Sequence, residues 1–117
     1  AERGGPHAEE LVRRAATRMT PAGRLQNHLK QKVQKSGGQY RKVRWESRRG
    51  CPDCYVWWKG GKSAFIEVKA EGDRYSEIQA REVRRMQDAD IPVFTARTIE
   101  DIDTIVEKIR SGNDTDV

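Results

Sequence analysis

Only two cysteines, two phenylalanines and four prolines occur among the 117 residues, and aromatic residues make up 7% of the chain. Two cysteines cannot form a disulfide scaffold, which excludes the small secreted folds stapled by several bridges. The longest apolar runs span a few residues, so neither a membrane span nor a secretory apolar segment is expected. No internal repeat and no low-complexity block is visible. The length suits one domain with one core, because a chain of this size buries roughly two-thirds of the surface that its unfolded form exposes.

Charge is what the sequence has in abundance. Charged residues make up 35% of the chain, as many as the apolar ones, and the formal net charge is +5. That sum hides an asymmetry. Residues 1–50 carry 13 basic and 4 acidic side chains, and residues 51–117 carry 10 basic and 14 acidic. A basic half beside an acidic half suggests a polyanion-binding surface next to a function that needs carboxylates.

Hydrophobic periodicity predicts the order α-α-β-β-β-α-β-α. The first helix is expected over Ala8–Met19, with Val12, Ala15 and Met19 at helical spacing. Thr20-Pro21 reads as an N-cap followed by proline at the first helical position. The helix it opens runs to about Ser36, with Leu25, Leu29 and Val33 on one stripe, and Gly37-Gly38 ends it. Strands are expected at Gln39–Glu46, Asp53–Lys59, Lys62–Ala70 and Pro92–Ala96, with Gly60-Gly61 as a two-residue hairpin turn. Helices are expected from about Ser76 to Ala89 and over Thr98–Arg110. Residues 1–20 form an N-terminal extension containing the first helix, residues 21–110 the domain proper, and residues 111–117 a polar tail expected to be disordered. Three strands followed by a helix and a fourth strand imply an α/β fold, a mixed sheet flanked by helices.

The chemistry concentrates in one hairpin. Period-two alternation puts Ala64, Ile66 and Val68 on one face of the third strand, and Phe65, Glu67 and Lys69 on the other. Pairing outward from Lys59 and Lys62 across the Gly60-Gly61 turn sets Asp53 close to Val68, between Glu67 and Lys69. Two carboxylates and an ammonium group then converge. Such carboxylates supply the oxygen ligands that Mg²⁺ or Mn²⁺ prefer, while the ion polarises a phosphodiester and acidifies water. A cross-strand salt bridge on an amphipathic hairpin would use the same residue types.

Pro52-Asp53 followed by Glu67-Val68-Lys69 resembles the PD-(D/E)xK nuclease motif. The wider run resembles one branch of that superfamily, the VRR-NUC (virus-type replication-repair nuclease) domains. It comprises Arg49-Gly50-Cys51-Pro52-Asp53, Phe65-Ile66-Glu67-Val68-Lys69-Ala70, Ser76-Glu77-Ile78-Gln79 and Ile91-Pro92-Val93-Phe94. The resemblance covers about residues 24–110 and is closest in length to the stand-alone phage and bacterial members. It implies a restriction-endonuclease-like α-β-β-β-α-β core, here with an extra N-terminal helix and a C-terminal helix. It also implies Mg²⁺ or Mn²⁺ bound by Asp53, Glu67 and the Val68 carbonyl, with Lys69 acting on the nucleophilic water and Gln79 as an auxiliary active-site residue. Ser76-x-x-Gln79 also reads as a capping box. Small stand-alone members look like Holliday-junction resolvases working as homodimers, so branched DNA is the implied substrate, with the cytoplasm of a bacterial or phage-infected host cell as the expected location.

Tyr40-Arg41-Lys42-Val43-Arg44-Trp45, followed by Arg48-Arg49, interleaves bases with aromatics beside this site. Arg41, Lys42, Arg44, Arg48 and Arg49 are therefore candidate phosphate contacts, with Arg48 and Arg49 foremost; a charged strand edge is the plainer reading. No base-reading motif accompanies them, which points to recognition of DNA structure rather than sequence. Cys51-Pro52-Asp53-Cys54 has C-x-x-C spacing, but zinc needs two more ligands, and His7 and His28 form no paired motif. A redox dithiol commonly opens a helix after a strand, whereas this one leads into a strand, so packing near the site is the better reading.

One position departs from the family pattern. Where these domains usually carry a metal-binding glutamate in the first core helix, this chain has Gln26, spaced with Leu29 and Val33 so that it can face the sheet. A neutral amide offers an oxygen without a charge, and a DNA-binding module with weak or absent cleavage is therefore the alternative function. Gln26→Glu is expected to tighten divalent-ion binding in a calorimetric titration; an unchanged metal dependence would place position 26 outside the site.

Overall fold

The computed structural model describes residues 19–112 together with Ala8 and Leu11, so most of the predicted first helix and the chain after Gly112 lie outside the described residues. Helix α1 (Pro21–Lys35) begins as its sequence dictates: the Thr20 hydroxyl accepts from the Gly23 amide at 3.0 Å and Pro21 needs no partner for a missing N–H. Strands β1 (Gln39–Lys42), β2 (Cys54–Trp58) and β3 (Lys62–Val68) follow, then helix α2 (Glu77–Asp88), strand β4 (Val93–Ala96) and helix α3 (Ile99–Ser111). The sheet order is β1-β2-β3-β4, antiparallel through β3, with β3 and β4 parallel. The parallel pair needs a crossover, and α2 supplies it. The expected mixed α/β sheet flanked by helices is what forms.

The two faces of the sheet differ in kind. Cys54, Val56, Trp58, Ala64, Ile66, Val68 and Ala96 point to one side, where Leu25, Leu29 and Val33 of α1 and Ile102, Ile105, Val106 and Ile109 of α3 close over them. The opposite side carries a stack of half-buried rings: Tyr55 lies 4.5 Å from Phe65 and 5.5 Å from Trp57, and Trp45 lies 5.6 Å from Phe65. Alternation thus sends Trp58 to the core and Trp57 outward. Helix α2 sits toward β4, where the Gln87 amide donates to the Val93 carbonyl at 3.2 Å. No described helix is long and apolar enough to cross a membrane.

Two expectations need correction. The first strand ends at Lys42 rather than Glu46. Lys42 pairs with Cys54 and the Val43 amide still reaches the Asp53 carbonyl at 2.8 Å, but the next partner is Pro52, which has no N–H to donate. Trp45 takes up the Pro52 carbonyl through its indole N–H at 2.7 Å instead. The hairpin register also shifts by one residue. Trp58, not Lys59, pairs with Lys62, so the turn holds three residues, Lys59-Gly60-Gly61, with both glycines at positive φ (86° and 78°). Cys54 then lies opposite Ile66, where the ladder ends, and the same register continued one step outward would set Asp53 against Glu67 rather than Val68.

Leu29, fully buried between α1, α3 and the sheet, tests this core. Leu29→Ala is expected to cost about 3 kcal/mol in urea denaturation. A cost under about 1 kcal/mol would mean that α1 is not seated as described.

Candidate active site

The corrected register decides the geometry at the open end of the hairpin. The register sets Asp53, just beyond the end of the β2–β3 ladder, near Glu67, whose ionisation its charge opposes. The β4 neighbour of Glu67 is Thr95, whose hydroxyl is hydrogen-bonded to Tyr75. Glu67 is 8% exposed, although it is ionisable. Its carboxyl is pushed up to about 7 by burial, then by the negative charge of Asp53, against the opposing pull of Lys69 and Lys42. Burial and the neighbouring acid thus hold the Glu67 proton more strongly than the two lysines release it.

Lys69 is held firmly. Its ammonium donates to the Gln79 side-chain oxygen at 2.8 Å and lies 5.4 Å from the Tyr75 ring centre. The same Gln79 oxygen accepts the Ser76 amide at 3.0 Å, while the Gln79 amide donates to the Ser76 hydroxyl at 3.1 Å. The capping box and the contact with Lys69 are thus one arrangement, in which starting the helix also fixes the acceptor that orients the lysine. Gly50 completes the junction: at its φ of 79°, an added Cβ would fall 2.7 Å from Ile78 Cγ2 and 3.0 Å from the Gln79 nitrogen. Only glycine lets the loop before Asp53 press so closely on the start of α2.

Gln26 and Lys42 stand on the other side of Asp53. The Lys42 ammonium donates to Asp53 Oδ2 at 2.7 Å and to Gln26 Oε1 at 3.3 Å. Burial lowers the Lys42 pKa, but the hydrogen bond to Asp53 and the charges of Asp53, Cys54 and Glu67 outweigh it and raise the pKa overall. Gln26 thus comes to the edge of the carboxylate pair, as its helical spacing predicts. Lys42, read from sequence as a phosphate contact, is engaged inside the site.

The remaining basic candidates divide. Arg48 is bonded to Glu82, a buried acid on α2 that also accepts from Arg85 at 2.9 Å. Arg41 donates to Gln39 at 3.1 Å and stacks 4.9 Å from the Trp57 ring centre, on the outer sheet face. Arg44 and Arg49 are exposed. Sequence reasoning missed Glu82, although it lies one turn beyond Gln79 and next to Val83 on the buried stripe.

The two thiols have separate surroundings. Cys54 is buried and pushed up to about 11, chiefly by burial, with the Tyr40 hydroxyl 3.4 Å away. Cys51 is raised by burial and by Glu82, toward which its thiol points at 3.9 Å. Neither sits in the electropositive setting that makes a thiolate reactive.

The donor set suits a hard divalent cation. Asp53 and Glu67 supply two carboxylates, Gln26 an amide oxygen and Val68 a backbone carbonyl at the adjoining position, and the Lys42 ammonium already serves as a cation between two of these groups. Among the described residues no cluster of three or more His, Cys, Asp or Glu side chains assembles. Two carboxylates and two neutral oxygens are what these residues offer to a hard cation that keeps several of its own waters.

Known proteins share this fold and its family. A solved structure described as a VRR_NUC domain superposes with a TM-score of 0.71 at 32% identity, covering 76% of this chain and 97% of that one. The "Putative nuclease p44" of Acyrthosiphon pisum secondary endosymbiont phage 1 is 39% identical over 62 residues, which is 53% of this chain and 67% of the phage protein. The family profile of the VRR-NUC domain matches residues 7–99, from before α1 to the first residue of α3. With the profile spanning most of the chain and both relatives agreeing, this protein belongs to the VRR-NUC nuclease-domain family.

Proposed function

We propose that the protein is a Mg²⁺- or Mn²⁺-dependent, structure-specific DNA endonuclease that hydrolyses phosphodiester bonds in Holliday junctions as a homodimer. The observation carrying this reading is the proximity of Asp53 and Glu67 at the open end of the β2–β3 hairpin, beside a lysine oriented by Gln79. Asp53, Glu67 and the Val68 carbonyl would hold the ion, which when bound supplies polarisation of the phosphodiester and acidification of water. Lys69 orients the attacking water and stabilises negative charge on the phosphate. Gln79 keeps the ammonium pointed, and Gly50 keeps Gln79 and the Asp53 loop together. Arg49 and Arg44 face solvent, and Arg48 is positioned by Glu82, so all three are available to phosphate oxygens, with binding that weakens steeply as salt rises.

A single site makes one cut, whereas resolving a two-fold junction needs two symmetric cuts, which a two-fold dimer supplies. Most of the predicted first helix lies outside the described residues. The bond between neutral Gln26 and Lys42 supports a second reading, a DNA-binding module with weak or absent cleavage.

A four-way junction and a linear duplex, each incubated with Mg²⁺, Mn²⁺ or EDTA, separate the two readings. Metal-dependent, junction-selective cleavage is expected, falling at least about a hundredfold in Asp53→Asn and in Lys69→Ala. Tight binding without cleavage under either metal would support the second reading.

The buried carboxylate gives a further prediction. Folding raises the Glu67 pKa from 4.5 to about 7, so the folded chain binds this proton more tightly than the unfolded chain does. That contribution to stability is complete below the unfolded value and is lost as pH rises through the folded one. In EDTA, stability is expected to fall by about 2 kcal/mol between pH 5 and pH 8, and Glu67→Gln should remove most of this slope in urea denaturation. A slope unchanged by Glu67→Gln would show that the carboxyl ionises normally.

A further inference from the structure

Asp53 and Glu67 bring at most two negative charges to the site, and Lys42 and Lys69 bring two positive ones, so no negative charge is in excess before any ion enters. The two lysines are not equivalent. Lys69 is anchored by the Gln79 oxygen and the Tyr75 ring, both placed by the start of α2. Lys42 comes from β1, the edge strand, and its side chain is 50% exposed. Its ammonium is held by two side-chain oxygens, Asp53 Oδ2 at 2.7 Å and Gln26 Oε1 at 3.3 Å. Of the two ammonium groups, Lys42 is the one that can leave.

We infer that Lys42 is a tethered cation that competes with the divalent ion for Asp53 and thereby sets how much metal the enzyme needs. The inference rests on the reading of Asp53 and Glu67 as the ion's carboxylates. A divalent ion entering with Lys42 in place would add its charge beside the ammonium, and bidentate ligation by Asp53 would need the Oδ2 direction that the ammonium occupies. Loading is therefore easier with Lys42 swung outward, which its exposed stem on the edge strand allows. Gln26 belongs to the same device. As an amide it accepts from Lys42 without adding the charge that would favour the metal over the lysine. In the metal-free protein the lysine partly compensates two acids placed side by side, one of them buried.

Calorimetric titration of Mn²⁺ into the full chain tests this, using wild type, Lys42→Met, Lys42→Gln, Asp53→Ala and Arg44→Gln, each checked for folding by far-UV circular dichroism. Arg44→Gln removes the same charge two residues along, at an exposed position. Wild type is expected to show one class of site that Asp53→Ala abolishes. Both Lys42 variants should bind about three- to tenfold more tightly, and Arg44→Gln less than about twofold. The second Lys42 variant carries the comparison if the first does not fold. Heat dependent on Asp53 with unchanged or weaker affinity in the Lys42 variants overturns the role of Lys42 and leaves the carboxylate reading standing. An equal gain in Arg44→Gln also overturns it, because the effect would then be the general field. Absence of Asp53-dependent heat from every protein overturns both readings.

Discussion

The antiparallel pairing of β2 with β3 is the constraint on which the site depends. Asp53 and Glu67 are far apart in sequence, and nothing local draws two carboxylates together. The register brings them near one another, through a connection of three residues, two of them glycines in left-handed conformation. A two-residue turn would shift every pairing by one position and set Asp53 against Val68 instead. The driving force for the register lies on the other face, where Cys54, Val56, Ala64, Ile66 and Val68 must all point toward α1 and α3. The apolar face selects the pairing, and the polar face receives the acids as a consequence.

Burial then gives these groups their chemistry. A carboxylate at the surface would ionise freely and hold a cation weakly. Glu67, covered by its neighbours and beside a second acid, resists ionisation until positive charge arrives. Lys69, Lys42 and a bound divalent ion are three ways of meeting that need, and they differ in what holds them. Lys69 is tied to the start of α2 by a glutamine that also caps the helix, so its position is coupled to the fold itself. Lys42 hangs from an edge strand between two side-chain oxygens.

The loop from Arg48 to Pro52 links these parts. Glu82 anchors Arg48, Gly50 presses against Ile78 and Gln79, and the Pro52 carbonyl takes the Trp45 indole N–H. The result is a rigid approach to Asp53, with arginines on its outer surface. On the proposed function, bracing these arginines against both the sheet and α2 fixes their distance from the carboxylates, and positioning of this kind is a large part of what a hydrolytic site contributes.

Helices α1, α2 and α3 were legible from periodicity and caps, since Thr20, Ser76 and Thr98 start them through bonds to residues three positions on. The residue types of the site, Asp53, Glu67 and Lys69, were equally legible, because alternation and motif spacing are local properties. The early end of β1, the three-residue turn and the inward engagement of Lys42 were not. Each depends on what lies across the sheet: a proline that cannot donate, a core that selects one register, and an aspartate and a glutamine brought alongside from other elements. Sequence alone determined which groups are present and which elements carry them, because propensity, capping and periodicity act over a few residues. Tertiary structure alone decided which groups meet and how buried they are, because both follow from packing between segments far apart in the chain.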